Sequence, residues 1–187
     1  MILTLQTLAS ATGAGIVRAQ SWLAYLQQAL DAFEITTPAR AAAFLAQIGH
    51  ESAGLRFTTE IWNPAQVPAQ ARYEGRADLG NTQPGDGFKF RGHGLIQVTG
   101  RANHAAARDH LRVKCGTRVP DFEQEPHRLA EPEWAALSAA DFWARKGLNE
   151  LADAGNFEQI TRRINGGTNG LADRLARFAV AKNVLGA

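Results

Sequence analysis

A core-facing helix is written into residues 37 to 63, TPARAAAFLAQIGHESAGLRFTTEIWN. Thr37 is an N-cap residue, and Pro38 takes the first helical position, where its missing N–H costs nothing. Ala41, Phe44, Ile48 and Leu55 then recur at spacings of three, four and seven, which lays one apolar stripe along the helix. Glu51 falls on the same stripe, three positions after Ile48 and just before Gly54 can end the helix. A carboxyl group on a core-facing stripe must be paired or become a weaker acid, and a weakened acid is what general acid catalysis near neutral pH requires.

A second carboxylate, Glu60, follows nine residues later. Nine positions are about 180° of uninterrupted helix, so the chain must turn near Gly54 if both groups are to serve one site. Ser52, Gly54 and the β-prone run Phe57, Thr58, Thr59 are suited to that turn. The structural alternative for Glu51 is a helix-end glutamate salt-bridged to Arg40 or Arg56. Glu74, Asp78 and Asp86 compete with Glu60 for the partner role.

The remaining chain reads as mostly helical. Ile16, Ala19, Leu23, Leu26, Leu30 and Phe33 form a stripe that predicts a helix over 16–33, with Trp22 and Tyr25 beside it as packing residues. Residues 64 to 94 carry three prolines and six glycines without a sustained period, which predicts a long irregular loop with a short hairpin. The following Gly92-His93-Gly94 completes no phosphate-loop motif. Gln97 and Thr99 lie two apart in a strand-like run, which puts two polar side chains on one face, suited to sugar hydroxyls or an ordered water. Helices are expected from Asn103 to about Val113, from Pro132 to Lys146-Gly147, from an Asn156 cap through Phe157, Ile160 and Ile164, and over Leu171, Leu175 and Phe178 to near Gly186. Asn165-Gly166-Gly167 makes a turn in which glycine supplies positive φ.

Composition narrows the function. At 187 residues the chain has room for one sizeable core or two small lobes, and a single domain over 1–187 is expected, without a separate binding module. The net charge is +2 and no basic block stands out, so nucleic acid is not an expected ligand. Cys115 is alone, and His50, His93, His104, His110 and His127 form no close ligand pair, so no disulfide, metal or cofactor is expected. The N-terminal MILTLQTLASATGAG lacks the basic start and continuous apolar core of a signal peptide, and no run approaches the length of a membrane span. Folding in a reducing bacterial cytoplasm and a monomeric state are the expectations.

Four motifs together resemble glycoside hydrolase family 19, the chitinase family that also contains many phage and prophage endolysins. They are His50-Glu51-Ser52, the Glu60 that follows, the run Lys89-Phe90-Arg91-Gly92-His93-Gly94-Leu95-Ile96-Gln97-Val98-Thr99-Gly100-Arg101-Ala102-Asn103, and Ile164-Asn165-Gly166-Gly167. The resemblance implies a lysozyme-like, mostly α-helical fold of two lobes with a sugar-binding cleft. It also implies an inverting hydrolysis in which Glu51 is the general acid and Glu60 the base that activates water, with the two carboxylates ~6.5–9.5 Å apart. Thr99 would help hold that water. His50, Gln97, Asn103 and Asn165 match positions that contact substrate or fix the second carboxylate. Two departures stand out: Gly92-His93-Gly94 where the family usually has Gly-Arg-Gly, and Asn103-His104 where it has Asn-Tyr. The first loses a permanent cation and the second an aromatic surface, unless His93 is a plain loop residue.

The short chain, the lack of disulfides and of a secretion signal, and the nine-residue step between the glutamates favour an endolysin over a chitinase. The expectation is a hydrolase of peptidoglycan glycan strands, held in the host cytoplasm until lysis and with no stable membrane insertion. A chitinase, a lytic transglycosylase working with one acidic residue, and a catalytically silent glycan-binding protein are the alternatives.

Overall fold

The computed structural model describes residues 1–187. Ten helices follow one another along the chain: α1 Leu5–Thr12, α2 Ile16–Ala32, α3 Pro38–Glu51, α4 Pro68–Ala71, α5 Asp86–Lys89, α6 Arg101–Cys115, α7 Pro132–Arg145, α8 Leu148–Asp153, α9 Phe157–Asn165 and α10 Leu171–Leu185. Short 3₁₀ turns at Ala77–Leu79, Gly116–Arg118 and Pro126–Ala130 fill in between them. The chain divides into two compact units, one of Met1–Arg56 with Ala139–Ala187 and one of Phe57–Ser138. No helix is long and apolar enough to cross a membrane.

The first unit is built on α3. The Thr37 side chain accepts the Arg40 N–H at 3.2 Å, and Pro38 opens the helix as expected. Every residue from Ala41 to Gly49 is buried, so the helix is covered all round rather than along one stripe. Its neighbours are α1, α8 and α10. Small side chains make this possible: a Cβ at Gly49 would lie 2.6 Å from the Thr12 carbonyl oxygen, so the end of α1 rests directly on the glycine. Phe44 meets Trp143 edge to face, with ring centroids 5.4 Å apart. The Trp143 Nε1–H donates to Asn149 at 2.9 Å, and Asn149 donates to the Phe33 carbonyl at 3.2 Å, which satisfies the polar atoms of that core.

The expected turn after α3 is present. Ala53, Gly54 and Leu55 all have positive φ, and the Gly54 N–H bonds back to the Gly49 carbonyl at 2.7 Å. Ser52 Oγ donates to Ile48 and accepts the Leu55 N–H, which holds a buried leucine in a left-handed conformation.

Several details differ from the sequence pattern. Trp22, placed beside the α2 stripe, is in the core, whereas Ile16 is 48% exposed. Helix α1 packs on α2. This eight-residue helix shows no clear period because threonine and serine interrupt it, yet it is capped at Thr4 and ended by Gly13. Helix α8 is likewise absent from the pattern, being only six residues long. On α10, Leu175 is exposed while Phe178 stacks on Phe157 at 4.1 Å.

The second unit gathers Phe90, Leu95, Leu111, Phe122, Leu129 and Trp134 into its core. Residues 64 to 94 contain α4, one 3₁₀ turn and α5 in place of a continuous loop. The hairpin reduces to two isolated bridges, Thr59 with His93 and His93 with Val98. The strand-like face expected for Gln97 and Thr99 does not form, because Gln97 adopts φ 55° in a turn. Side chains hold this irregular segment: Glu74 accepts the Gly85 and Gly87 N–H groups at 2.7 and 2.8 Å, and Asp86 pairs with Arg101 at 2.6 Å.

The contact between Gly49 and Thr12 yields a stability test. Gly49→Ala should cost about 1–3 kcal/mol, because the added methyl meets backbone that cannot rotate away. Denaturant unfolding monitored by tryptophan fluorescence should show the lower midpoint.

Candidate active site

In the first unit Glu51 is the last residue of α3. Its Oε1 accepts Arg174 Nη2 at 2.5 Å, with the Arg174 side chain 3% and the Glu51 side chain 22% exposed. The apolar setting anticipated for this carboxyl is therefore replaced by an ion pair. Arg40 pairs instead with Asp153. Arg174 also donates to Gln47 Oε1, while Gln47 Nε2 donates to Thr161 Oγ1 at 2.8 Å and Thr161 donates to the Phe157 carbonyl at 3.2 Å. This buried relay joins α3, α9 and α10 and fixes one oxygen of Glu51. A signal for Arg174 was available: it is three residues after Leu171 and four before Phe178, so an arginine sits on the α10 stripe.

His50, one residue before Glu51, meets Asp173 Oδ2 through Nδ1 at 2.6 Å. Arg177 and then His50 hold the Asp173 carboxyl below the usual range. Gly170 has φ +70° and a Cβ there would overlap the His50 ring, so the turn before α10 that closes against this histidine favours glycine. Asn165 shapes the same turn, its amide donating to the Asn169 carbonyl and its oxygen accepting the Gly167 N–H.

In the second unit Glu60 is surrounded by donors. Oε1 accepts Gln70 Nε2 at 2.9 Å and the Tyr73 hydroxyl at 3.4 Å, and Oε2 accepts the Gly92 N–H at 2.9 Å. The backbone repeats the attachment, with Glu60 N–H on the Gly92 carbonyl at 2.8 Å and Arg91 Nε on the Glu60 carbonyl at 3.3 Å. Gln70 is 2% exposed and is itself fixed by Asn63 and Ile61. Burial, then the charge of Glu60, pushes the Tyr73 hydroxyl above its ordinary pKa of 10, so it remains a donor. The sequence pattern offered no sign of Gln70 or Tyr73, which lie in and after a four-residue helix. The rival carboxylates have structural work: Glu74 caps α5, Asp78 pairs with Arg76, and Asp86 pairs with Arg101.

Gln97, Thr99 and Asn103 form a chain beside Gly92. Gln97 packs where a Cβ on Gly92 would stand and donates to the Gly94 carbonyl at 2.9 Å. Thr99 Oγ1 donates to the Gln97 carbonyl at 3.1 Å, and the exposed Asn103 donates to the Thr99 carbonyl at 2.7 Å. The structure thus gathers Glu60, Gln97, Thr99 and Asn103 around one turn, while Glu51, His50 and Asn165 belong to the other unit.

No family model matches the chain. A curated protein of Haemophilus influenzae described as a glycosyl hydrolase family 19 domain-containing protein is 34% identical over 159 residues, covering 71% of this chain and 74% of that protein. The chain belongs to glycoside hydrolase family 19. Its fold is that of solved family 19 chitinases. Chitinase C of Streptomyces griseus superposes with a TM-score of 0.71 at 21% identity, over 98% of this chain and 76% of that one. A bacterial family 19 chitinase gives a TM-score of 0.71 at 21% identity, over 100% of this chain and 96% of that one. These likenesses establish the mostly helical, lysozyme-like family 19 architecture.

Against the usual family 19 pattern, the two departures turn out to be one feature. His93 is buried and its Nδ1 lies 3.0 Å from His104 Nε2, while His104 Nδ1 lies 2.9 Å from the Gly100 carbonyl. A carbonyl can only accept, so His104 carries its proton on Nδ1, its Nε2 accepts, and His93 donates. That is the arrangement for two neutral rings, and burial keeps them neutral. Burial, followed by His104 and Arg91, pushes His93 down to about 3, and burial pushes His104 down to about 4 against the pull of Gly100.

In the unfolded chain both groups take up protons near the ordinary imidazole pKa of 6.5, which the fold refuses. Stability is therefore complete above that value and falls as pH drops from it toward about 3, by up to ~1.4 kcal/mol per pH unit for each histidine. Thermal unfolding from pH 8 to 4 should show this decline. His104→Phe, which keeps the ring against Phe90, should show a shallower one.

Proposed function

We propose that this family 19 hydrolase is an endolysin that cleaves the β-1,4-glycosidic bonds of bacterial peptidoglycan with inversion of configuration. Glu51 protonates the leaving oxygen, with Arg174 fixing one carboxylate oxygen and leaving the other for the substrate. Glu60 accepts a proton from the attacking water, and Thr99 helps to hold that water. His50, Gln97, Asn103 and Asn165 orient the glycan. Residues 1–187 act as one catalytic domain and as a monomer, made in the host cytoplasm and reaching the wall at lysis. The free Cys115 accords with folding in a reducing compartment.

The observation that carries the two-carboxylate mechanism is the setting of Glu60. Three donors from α4, the residues after it and Gly92 converge on a single carboxylate, which is the preorganisation a catalytic base requires. Chitin is the second substrate, supported by the solved chitinases that share the fold.

Digestion of purified peptidoglycan and soluble chitin oligomers side by side, with products read by mass spectrometry and the new anomer by NMR, tests this function. Hydrated muropeptides of inverted configuration are expected from wild type. Glu51→Gln and Glu60→Gln should each lower kcat by about 10²–10⁴-fold. Near-full activity in Glu60→Gln with anhydro products would make the protein a transglycosylase, cleavage of chitin alone would make it a chitinase, and binding without any product would leave a glycan-binding protein.

A further inference from the structure

One residue from the glycine that holds Glu60, the second unit opens a pocket of about 260 Å³. Phe88, Lys89, Arg91 and His93 line it together with Gln124 and His127. No carboxylate lines it. Elsewhere in the unit Arg76, Arg101, Arg108, Arg118 and Arg128 each pair with at least one acid. Lys89 and Arg91 have no acidic partner. The Lys89 ammonium stands 5.2 Å from the Phe90 ring, and the Arg91 guanidinium lies 4.2 Å over the Phe88 ring, held by the Phe88 and Glu60 carbonyls. Stacking and carbonyl contacts orient a guanidinium without neutralising it, so the pocket keeps its positive potential.

The pocket has room for a carboxylate and the few carbons that carry it, since a water takes about 30 Å³. Phe88, 51% exposed, adds an apolar wall. A neutral glycan has nothing to offer two unpaired cations, whereas a branched glycan with acidic peptides does. We infer that this pocket is a subsite for the carboxylate-bearing peptide branch of the glycan strand whose backbone lies at Glu60. The inference rests on the peptidoglycan function proposed above and deepens it: Lys89 and His127 are specificity residues, and Arg91 joins the branch subsite to the segment that fixes Glu60.

Lys89→Gln and His127→Gln test this, because both side chains are exposed and neither touches Glu60. Rates are measured on intact peptidoglycan and on the same glycan stripped of its peptides by an amidase. The double variant should lose about tenfold more kcat/KM on the intact wall than on the stripped glycan, the equivalent of about 1.4 kcal/mol. Equal losses on both, or none on either, would overturn the subsite. A parallel calorimetric titration uses Glu51→Gln protein with a disaccharide-tripeptide and with its amidated form. Tighter binding of the acidic form that disappears with Lys89→Gln and at high salt supports the subsite. Equal binding of the two forms overturns it, and so does displacement by glycerol phosphate at similar concentration, which would point to wall phosphodiesters. If wild type leaves the wall intact but the titration shows Lys89-dependent binding of the acidic form, the peptidoglycan-hydrolase function fails while the anionic-branch subsite stands.

Discussion

Burial of helix α3 on all sides is the constraint from which the first unit follows. Nine consecutive residues, Ala41 to Gly49, have no free surface, so the neighbouring helices must approach closely and the helix can carry few large side chains. Alanine and Gly49 permit the approach, and Phe44 spends its bulk against Trp143. Polar atoms can enter such a place only if each finds a partner. Gln47, Thr161 and Arg174 satisfy this by bonding to one another, and the chain of bonds emerges at Glu51 where the helix ends. The carboxylate is thereby held by the core while one of its oxygens stays outside the relay.

The second unit solves the same problem with little regular structure. Between Phe57 and Gly100 the backbone lacks a ladder or a long helix to satisfy it, so side chains take that part. Glu74 serves α5, Asn81 accepts the Arg101 N–H, and Gln70 links Asn63, Ile61 and Glu60. Glu60 belongs to this network rather than being placed upon it. Its carboxylate geometry and the order of the surrounding chain are one and the same property.

The paired histidines extend the point to protonation. Burial holds the two bonded imidazoles uncharged, and the neutral pair on the Gly100 carbonyl has one consistent arrangement of hydrogens. Two substitutions that look separate in the sequence, eleven positions apart, fill one shared space beneath the Gly92–Gly94 turn. Tuning by burial there contrasts with the exposed Lys89 and His127 close by, which face solvent and keep their freedom to meet a ligand.

The sequence by itself determined the helices whose apolar period runs for three turns or more, the capped start of α3, the turn at Gly54 and the candidacy of Glu51 and Glu60. These features are local: propensity, capping and periodicity act within a dozen residues. Short α1 and α8 escaped because one or two turns cannot display a period. Only the tertiary structure decided that Arg174 would hold one oxygen of Glu51 across 123 residues, that Gln70 and Tyr73 would converge on Glu60, and that His93 would meet His104. Each of these is a partnership between groups with no periodic relation, chosen by which polar atoms the packing leaves to be satisfied.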